Sequence, residues 1–235
     1  MLSNLLKEIE ENKDEEKAKL LQGFFKTGKG QYGEWDVFYG LMMPKQRKLV
    51  KKYYNKLNFL DIETMLQSPV HEIRNIWLLI LVEKFKDKKI SEKEKKDIFS
   101  FYMSHTKAIN NWDLVDLTAP YIVWLSLLDG DRSVLFDLVR SDSLWERRIA
   151  VLATFAFIRN RDFDDILKLA SMLLDDKHDL MHKAVWWMLR EVGKKDEKTL
   201  TVFLDKYTTR MPRTMLRYSI ERLDKTKKEY YMKLR

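Results

Sequence analysis

A chain of 235 residues, 45% of them hydrophobic and 34% charged, can bury one substantial core or stack several small ones. It has no cysteine, which excludes disulfides, thiol chemistry and cysteine-based zinc sites, and no apolar run long enough to span a bilayer. A formal net charge of +8 leaves a nucleic acid, an acidic membrane surface or an acidic protein among the candidate partners, against the plainer alternative of lysines that merely keep the chain dispersed.

Few glycines and prolines favour helices with short connections, and every element expected along the chain is helical. The first residues lack the basic flank and apolar core of a signal peptide, so a cytoplasmic protein is expected. Residues 1–20 carry four lysines against six acids. Residues 14–26 open on acids, as a helix N-terminus prefers. A glycine-punctuated loop follows, from Thr27 to about Gly40, with Tyr32, Trp35, Phe38 and Tyr39 in it. Pro44 stands near the first turn of a helix over 45–57. Helices then recur in pairs, 61–67 with 70–86, 91–105 with 108–116, and 119–128 with 131–140. Further helices are expected at 144–159, 162–174, 179–193, 197–208 and 212–223. No segment alternates with a period of two, so no strand is expected. The short connections imply a single domain over 1–235. The tail 225–235 is basic, five lysines or arginines against one glutamate, and carries no assigned element.

A repeat underlies this pattern. The starts of alternate helices align at positions 74, 112, 148, 183 and 213, spaced by about one two-helix unit as in HEAT or armadillo arrays. The fold expected is an all-α solenoid of stacked antiparallel helix pairs, a superhelix whose equivalent positions line its concave face. Arg74, Arg148, Lys183 and Arg213 hold four of the five positions, and Trp112 holds the fifth. A basic residue at one phase of each unit would form a cationic stripe suited to a duplex backbone, or a solvated edge with apolar stems.

Residues 108–116 hold the sharpest candidate. On a helix, Trp112 and Asp116 share a face, and an indole beside a carboxylate suits a cationic ligand; the same spacing also occurs as a core aromatic beside a solvated acid. Trp186 and Trp187 point about 100° apart, so one can pack inward while Trp187 shares the face of Lys183. Arg213 and Arg217 are again four residues apart. Core packing is expected for Trp77, Trp124, Trp145 and Trp186. His178 and His182 have the spacing of a metal pair but no supporting pattern, so capping or surface roles are expected, with no metal and no cofactor.

In combination, residues 24–38, 111–116, 145–151, 183–191 and 212–218 resemble the DNA alkylation repair proteins, the AlkD-like family of alkylpurine DNA glycosylases built from HEAT-like repeats. The resemblance covers nearly the whole chain. It implies a monomeric DNA glycosylase that acts on duplex DNA containing alkylated purines, without a membrane or an obligate protein partner. By the same resemblance Trp112 and Asp116 match the catalytic aromatic and acid, Arg148 the arginine that grips a phosphate, and Trp187 a second aromatic facing the sugar. Arg74, Lys183, Arg213 and Arg217 are then candidate backbone contacts. A tyrosine that lines the groove in some members is replaced here by Phe24, which keeps the aromatic face and loses the hydroxyl. Recognition along the backbone, without an enclosing base pocket, is implied as well. Two other readings stay open: a non-catalytic HEAT-repeat protein that recognises damaged or branched DNA by shape, and a protein-interaction solenoid.

Overall fold

The computed structural model describes residues 1–128 and 130–234. The first of two compact units, Met1–Thr118, contains α1 (Leu2–Glu11), α2 (Glu15–Phe24), α3 (Met43–Tyr53), α4 (Phe59–Leu66), α5 (His71–Lys86), α6 (Glu92–Ser104), a 3-10 turn (Thr106–Ala108) and α7 (Trp112–Asp116). The second, Ala119–Arg235, contains α8 (Ala119–Leu127), α9 (Ser133–Leu138), α10 (Leu144–Ala153), α11 (Phe155–Arg159), α12 (Asp164–Met172), α13 (Asp179–Lys195), α14 (Glu197–Tyr207), α15 (Arg213–Ser219) and α16 (Lys225–Lys233). Among the described residues the extended backbone pairs only as an isolated parallel bridge, Val37 with Val70. No described helix is long and apolar enough to cross a membrane.

Helices pack on their near neighbours in sequence, the arrangement of an α-solenoid. In the first unit α3, α4 and α6 lie against α5; in the second α10 packs on α8 and α13, and α13 packs on α14 and α15. The helix α5 is the core of its unit. From Ile76 to Val82 every residue is buried, so the helix is apolar all round and has neighbours on all sides. Each such aliphatic side chain contributes about 1.5–3 kcal/mol relative to exposure.

Side chains set many of the helix starts. Asp14 accepts the Lys17 N–H at α2, the pairs Asn58/Asp61 and Ser91/Glu94 form reciprocal capping boxes at α4 and α6, and Asp196 caps α14. Each cap stabilises by about 1 kcal/mol. Four features depart from the periodicity. Residues 2–11 and 225–233 are helices with narrow buried stripes, Leu5 and Ile9 in α1 and Tyr231 in α16. The expected helix 144–159 divides at Thr154, whose hydroxyl donates to the Val151 carbonyl at 2.6 Å and competes with the helical ladder. The expected helix 108–116 shrinks to α7, because Asn111 is extended and its side chain accepts the Trp112 N–H at 2.8 Å.

The loop between α2 and α3 is strapped to the start of α5. His71 N–H donates to Val37 O at 2.8 Å, and Val37 N–H donates to Pro69 O at 3.0 Å. The fully buried Glu72 carboxylate accepts N–H groups from Tyr39, Gly40 and Leu41 at 2.8–3.1 Å. Gly40 sits at φ 82°, with Asp14 O only 2.1 Å from where a Cβ would stand. Gly30 has a similar φ of 74° with nothing within 4 Å. Gly40→Ala should therefore cost about 3 kcal/mol or more, and Gly30→Ala only about 1 kcal/mol, in denaturant unfolding. Equal costs at the two positions would mean that the Asp14–Gly40 approach does not constrain the loop.

Candidate functional site

The first unit places Trp112 and Asp116 at the two ends of α7, one turn apart, both half-buried. The indole of Trp112 stacks on Phe25, with centroids 5.3 Å apart and planes at 21°. Phe24, at 63% exposure, meets the same indole edge-on at 5.8 Å. Phe25 in turn stacks on Phe38 at 5.1 Å and lies 4.9 Å from the His71 ring, which stacks on Phe38 at 4.7 Å. The plane of Trp112 is thus set by a column of rings contributed by α2, the following loop and α5.

Beneath this column lies a cluster of buried charges. His71 faces Asp36 Oδ2 through Nδ1 at 3.0 Å and Asp113 Oδ2 through Nε2 at 2.8 Å. Arg74 donates to Asp36 Oδ1 at 2.6 Å, to Ser68 O at 2.7 Å and to Asn110 Oδ1 at 3.0 Å. Asn111 donates to Asp36 Oδ2 at 3.2 Å. A neutral imidazole has one N–H and could satisfy only one of the two carboxylates, whereas an imidazolium satisfies both. Burial opposes that charge, but Asp113 and Asp36 override it and push His71 up to about 9. Burial also works against the ionised Asp36, yet the His71 bond and the Arg74 charge hold its carboxyl below the usual carboxylate value. On the other side of α7, the fully buried Tyr102 hydroxyl lies 2.9 Å from Thr118 Oγ1, which donates to Leu114 O at 2.5 Å. Burial, with a smaller push from Asp116, drives the Tyr102 hydroxyl far up, so it stays protonated.

In the second unit Trp187 is half-buried on α13, with its ring 6.1 Å from Phe155. Trp186 turns into packing, stacked on Tyr218 at 4.8 Å with the Arg190 guanidinium over its ring. Lys183 is exposed and paired with Asp179 at 2.7 Å. Arg213 and Arg217 are exposed on α15; Arg213 donates to Met232 O at 3.0 Å, and Arg217 lies over the Tyr218 ring. His178 caps α13, and His182 is bonded to Asp176 O.

Two of the expected cationic positions are not on a surface edge. Arg74 is 4% exposed and committed to Asp36, Ser68 and Asn110, which corrects its expected place among the phosphate contacts. Arg148 is 5% exposed and donates to Leu180 O at 2.7 Å. A helix phase identifies which residues share an edge but not how deeply that edge is covered. Phe25, Asp36, His71, Tyr102 and Asp113 pack on or bond around the candidate site, and periodicity alone passes over them. One signal was available: His71, Glu72, Arg74 and Asn75 open a helix that is apolar all round, so they had to be buried and hence paired.

The family profile for DNA alkylation repair enzymes matches residues 5–223. A search of curated proteins finds no match. Among solved structures, a predicted DNA alkylation repair enzyme from Enterococcus faecalis superposes with a TM-score of 0.71 at 17% identity, over 91% of this chain and 97% of its own. That likeness is one of fold. The profile, which spans nearly the whole chain, shows that the protein belongs to the DNA alkylation repair enzyme family.

The sign of the pH dependence follows from His71. Its value is raised on folding, so its contribution is complete below about pH 6.5 and is lost as pH rises through about 9. Asp36 is lowered, so its contribution is present above about pH 3.8 and is lost as pH falls below that. NMR titration of the imidazole should give a midpoint near 9, and unfolding free energy should fall by at most ~3 kcal/mol between pH 6.5 and 10. An imidazole that titrates at or below 6.5 would contradict the bridging imidazolium.

Proposed function

We propose that this member of the DNA alkylation repair enzyme family is a monofunctional DNA glycosylase that hydrolyses the N-glycosidic bond of cationic alkylated purines, such as 7-methylguanine and 3-methyladenine, in duplex DNA. The observation that carries the reading is the half-exposed pair on α7, an indole and a carboxylate one turn apart on a rigid base. The family profile, which spans both units, supports reading residues 1–235 as one functional domain.

The chemistry follows from charge. Alkylation at a ring nitrogen makes the purine cationic, so it can leave without a strong general acid. The C1′–N9 bond breaks with its electron pair on the base, which departs neutral, and positive charge develops on the deoxyribose. Water then adds to C1′ and releases a proton, leaving an abasic site. A group that attracts the sugar more strongly in the transition state than in the ground state accelerates this step. Ionised Asp116 does so electrostatically and orients the water, and the π face of Trp112 favours the same cation. Phe24 lines the approach to Trp112. In the second unit Trp187 offers a further aromatic contact, whereas Arg148, buried and donating to Leu180 O, is withdrawn from the phosphate contacts as Arg74 is. Lys183, Arg213 and Arg217 are assigned DNA phosphates, whereas Arg74 serves the internal scaffold. Recognition along the backbone, rather than in a base pocket, would tolerate bulky adducts.

A duplex with one 7-methylguanine, incubated with the protein and then treated with alkali, should break at the lesion. Asp116→Asn should slow single-turnover excision by ~10² or more and leave DNA affinity nearly unchanged. Binding without strand breakage would favour the non-catalytic DNA-binding reading, and no binding at moderate salt would favour a protein-interaction solenoid. Arg217→Ala should reduce the slope of log affinity against log salt by about one, and an unchanged slope would withdraw Arg217 from the phosphate contacts.

A further inference from the structure

Trp35 is the most exposed large hydrophobic side chain among the described residues, at 85%. It also sits at φ 79°, in the left-handed region that bulky residues avoid. Exposure and backbone strain are separate costs, and neither is offset by ring packing of its own, since no ring contact joins Trp35 to another described residue. Residues held in such conformations persist only where their surroundings over-determine them, and they cluster at functional sites.

The surroundings here are rigid. Asp36 N–H donates to Gly33 O, Glu34 N–H to Gln31 O, and Gly30 N–H to the Glu34 carboxylate at 2.7 Å. The next residue, Asp36, is locked by Arg74, His71 and Asn111, and Asn111 immediately precedes Trp112. The indole of Trp35 is therefore presented from a fixed point, one residue and one hydrogen bond away from the α7 start. Lys26 and Lys29 are exposed in the same loop, whose two acids are both engaged, Asp36 in the buried cluster and Glu34 at the Gly30 N–H. An exposed indole carried on a fixed backbone, with cations in the same loop, suits a nucleotide whose base is unstacked, because such a base offers a π face and every nucleotide an anion.

We propose that Trp35, linked through Asp36 and Asn111 to the start of α7, is a DNA contact that stacks on a nucleobase unstacked from the duplex beside the lesion. The inference rests on the reading of DNA as the ligand. It makes Trp35 a binding residue rather than a catalytic one, and it explains why an indole occupies a backbone position that glycine would take without strain.

Trp35→Gly separates fold from binding because the two effects have opposite signs. Its thermal midpoint should hold or rise as the left-handed strain is relieved. Its affinity for a 7-methylguanine duplex, read by fluorescence anisotropy, should fall about 5- to 150-fold, the range for loss of one base–aromatic stack. The salt slope should stay unchanged, since stacking releases no counterion, and Trp35→Phe should recover most of the loss. Binding by Trp35→Gly within two-fold of wild type would overturn the contact, whatever the excision assay shows. If wild type cuts no lesion yet Trp35→Gly still loses affinity, the glycosylase reading falls and the contact stands.

Discussion

The placement of the candidate site depends on one buried interaction, the His71 imidazolium between the carboxylates of Asp36 and Asp113. It joins three segments distant in sequence: the loop after α2, the first turn of α5, and the start of α7. With Arg74 on the outer oxygen of Asp36, the cluster holds two positive and two negative groups and is electrically balanced. That balance is what makes burial of four ionisable side chains tolerable. Removing one partner from such a set strands the others in low dielectric, at a typical cost of about 3–5 kcal/mol. The cluster is therefore a device for specificity of arrangement more than a source of net stability.

The aromatic column inherits its geometry from that cluster. His71 and Phe38 form the lower level, Phe25 the middle and Trp112 the exposed end, so that a half-buried indole keeps a defined plane. On the proposed glycosylase reading, an indole free to swing would lose its preference for a cationic transition state each time it moved, whereas a fixed one would require no reorganisation at the moment of reaction. The same loop that supplies Phe25 and Phe38 carries Trp35 outward and Asp36 inward. One strap thus serves two faces, and the hydrogen bonds from Tyr39, Gly40 and Leu41 to Glu72 explain how so glycine-rich a segment stays in register.

The second unit uses its arginines in two ways. Arg147 and Arg148 reach inward, to Asp176 at 2.9 Å and to Leu180 O at 2.7 Å, and join successive elements of the stack. Arg213, Arg217 and Lys183 stay exposed and are available to a polyanion. The guanidinium suits the inward role because its planar fork can satisfy backbone carbonyls and carboxylates while its stem packs in apolar surroundings. A repeat-protein architecture makes this economical, since one residue type at one helical phase can brace the interior in one repeat and face solvent in another.

The helical class, most element positions, the solenoid repeat and the Trp112–Asp116 pairing were all legible in the chain, because they rest on periodicity and local spacing. Local chemistry also marked some boundaries, as with Pro44 in the first turn of α3 and the acids that open α2. The narrow stripes of α1 and α16, the break at Thr154 and the shortening of α7 were harder to see, since each turns on one or two side chains. Burial depth was decided by tertiary structure alone. Whether Arg74 meets a phosphate or Asp36, whether Asp113 is a solvated acid or half of an imidazolium clamp, and which of Phe24 and Phe25 lies under Trp112 all depend on what other segments bring to the same place. Pair energies between charges depend on separation and dielectric, and both are properties of the packed chain rather than of any stretch of it.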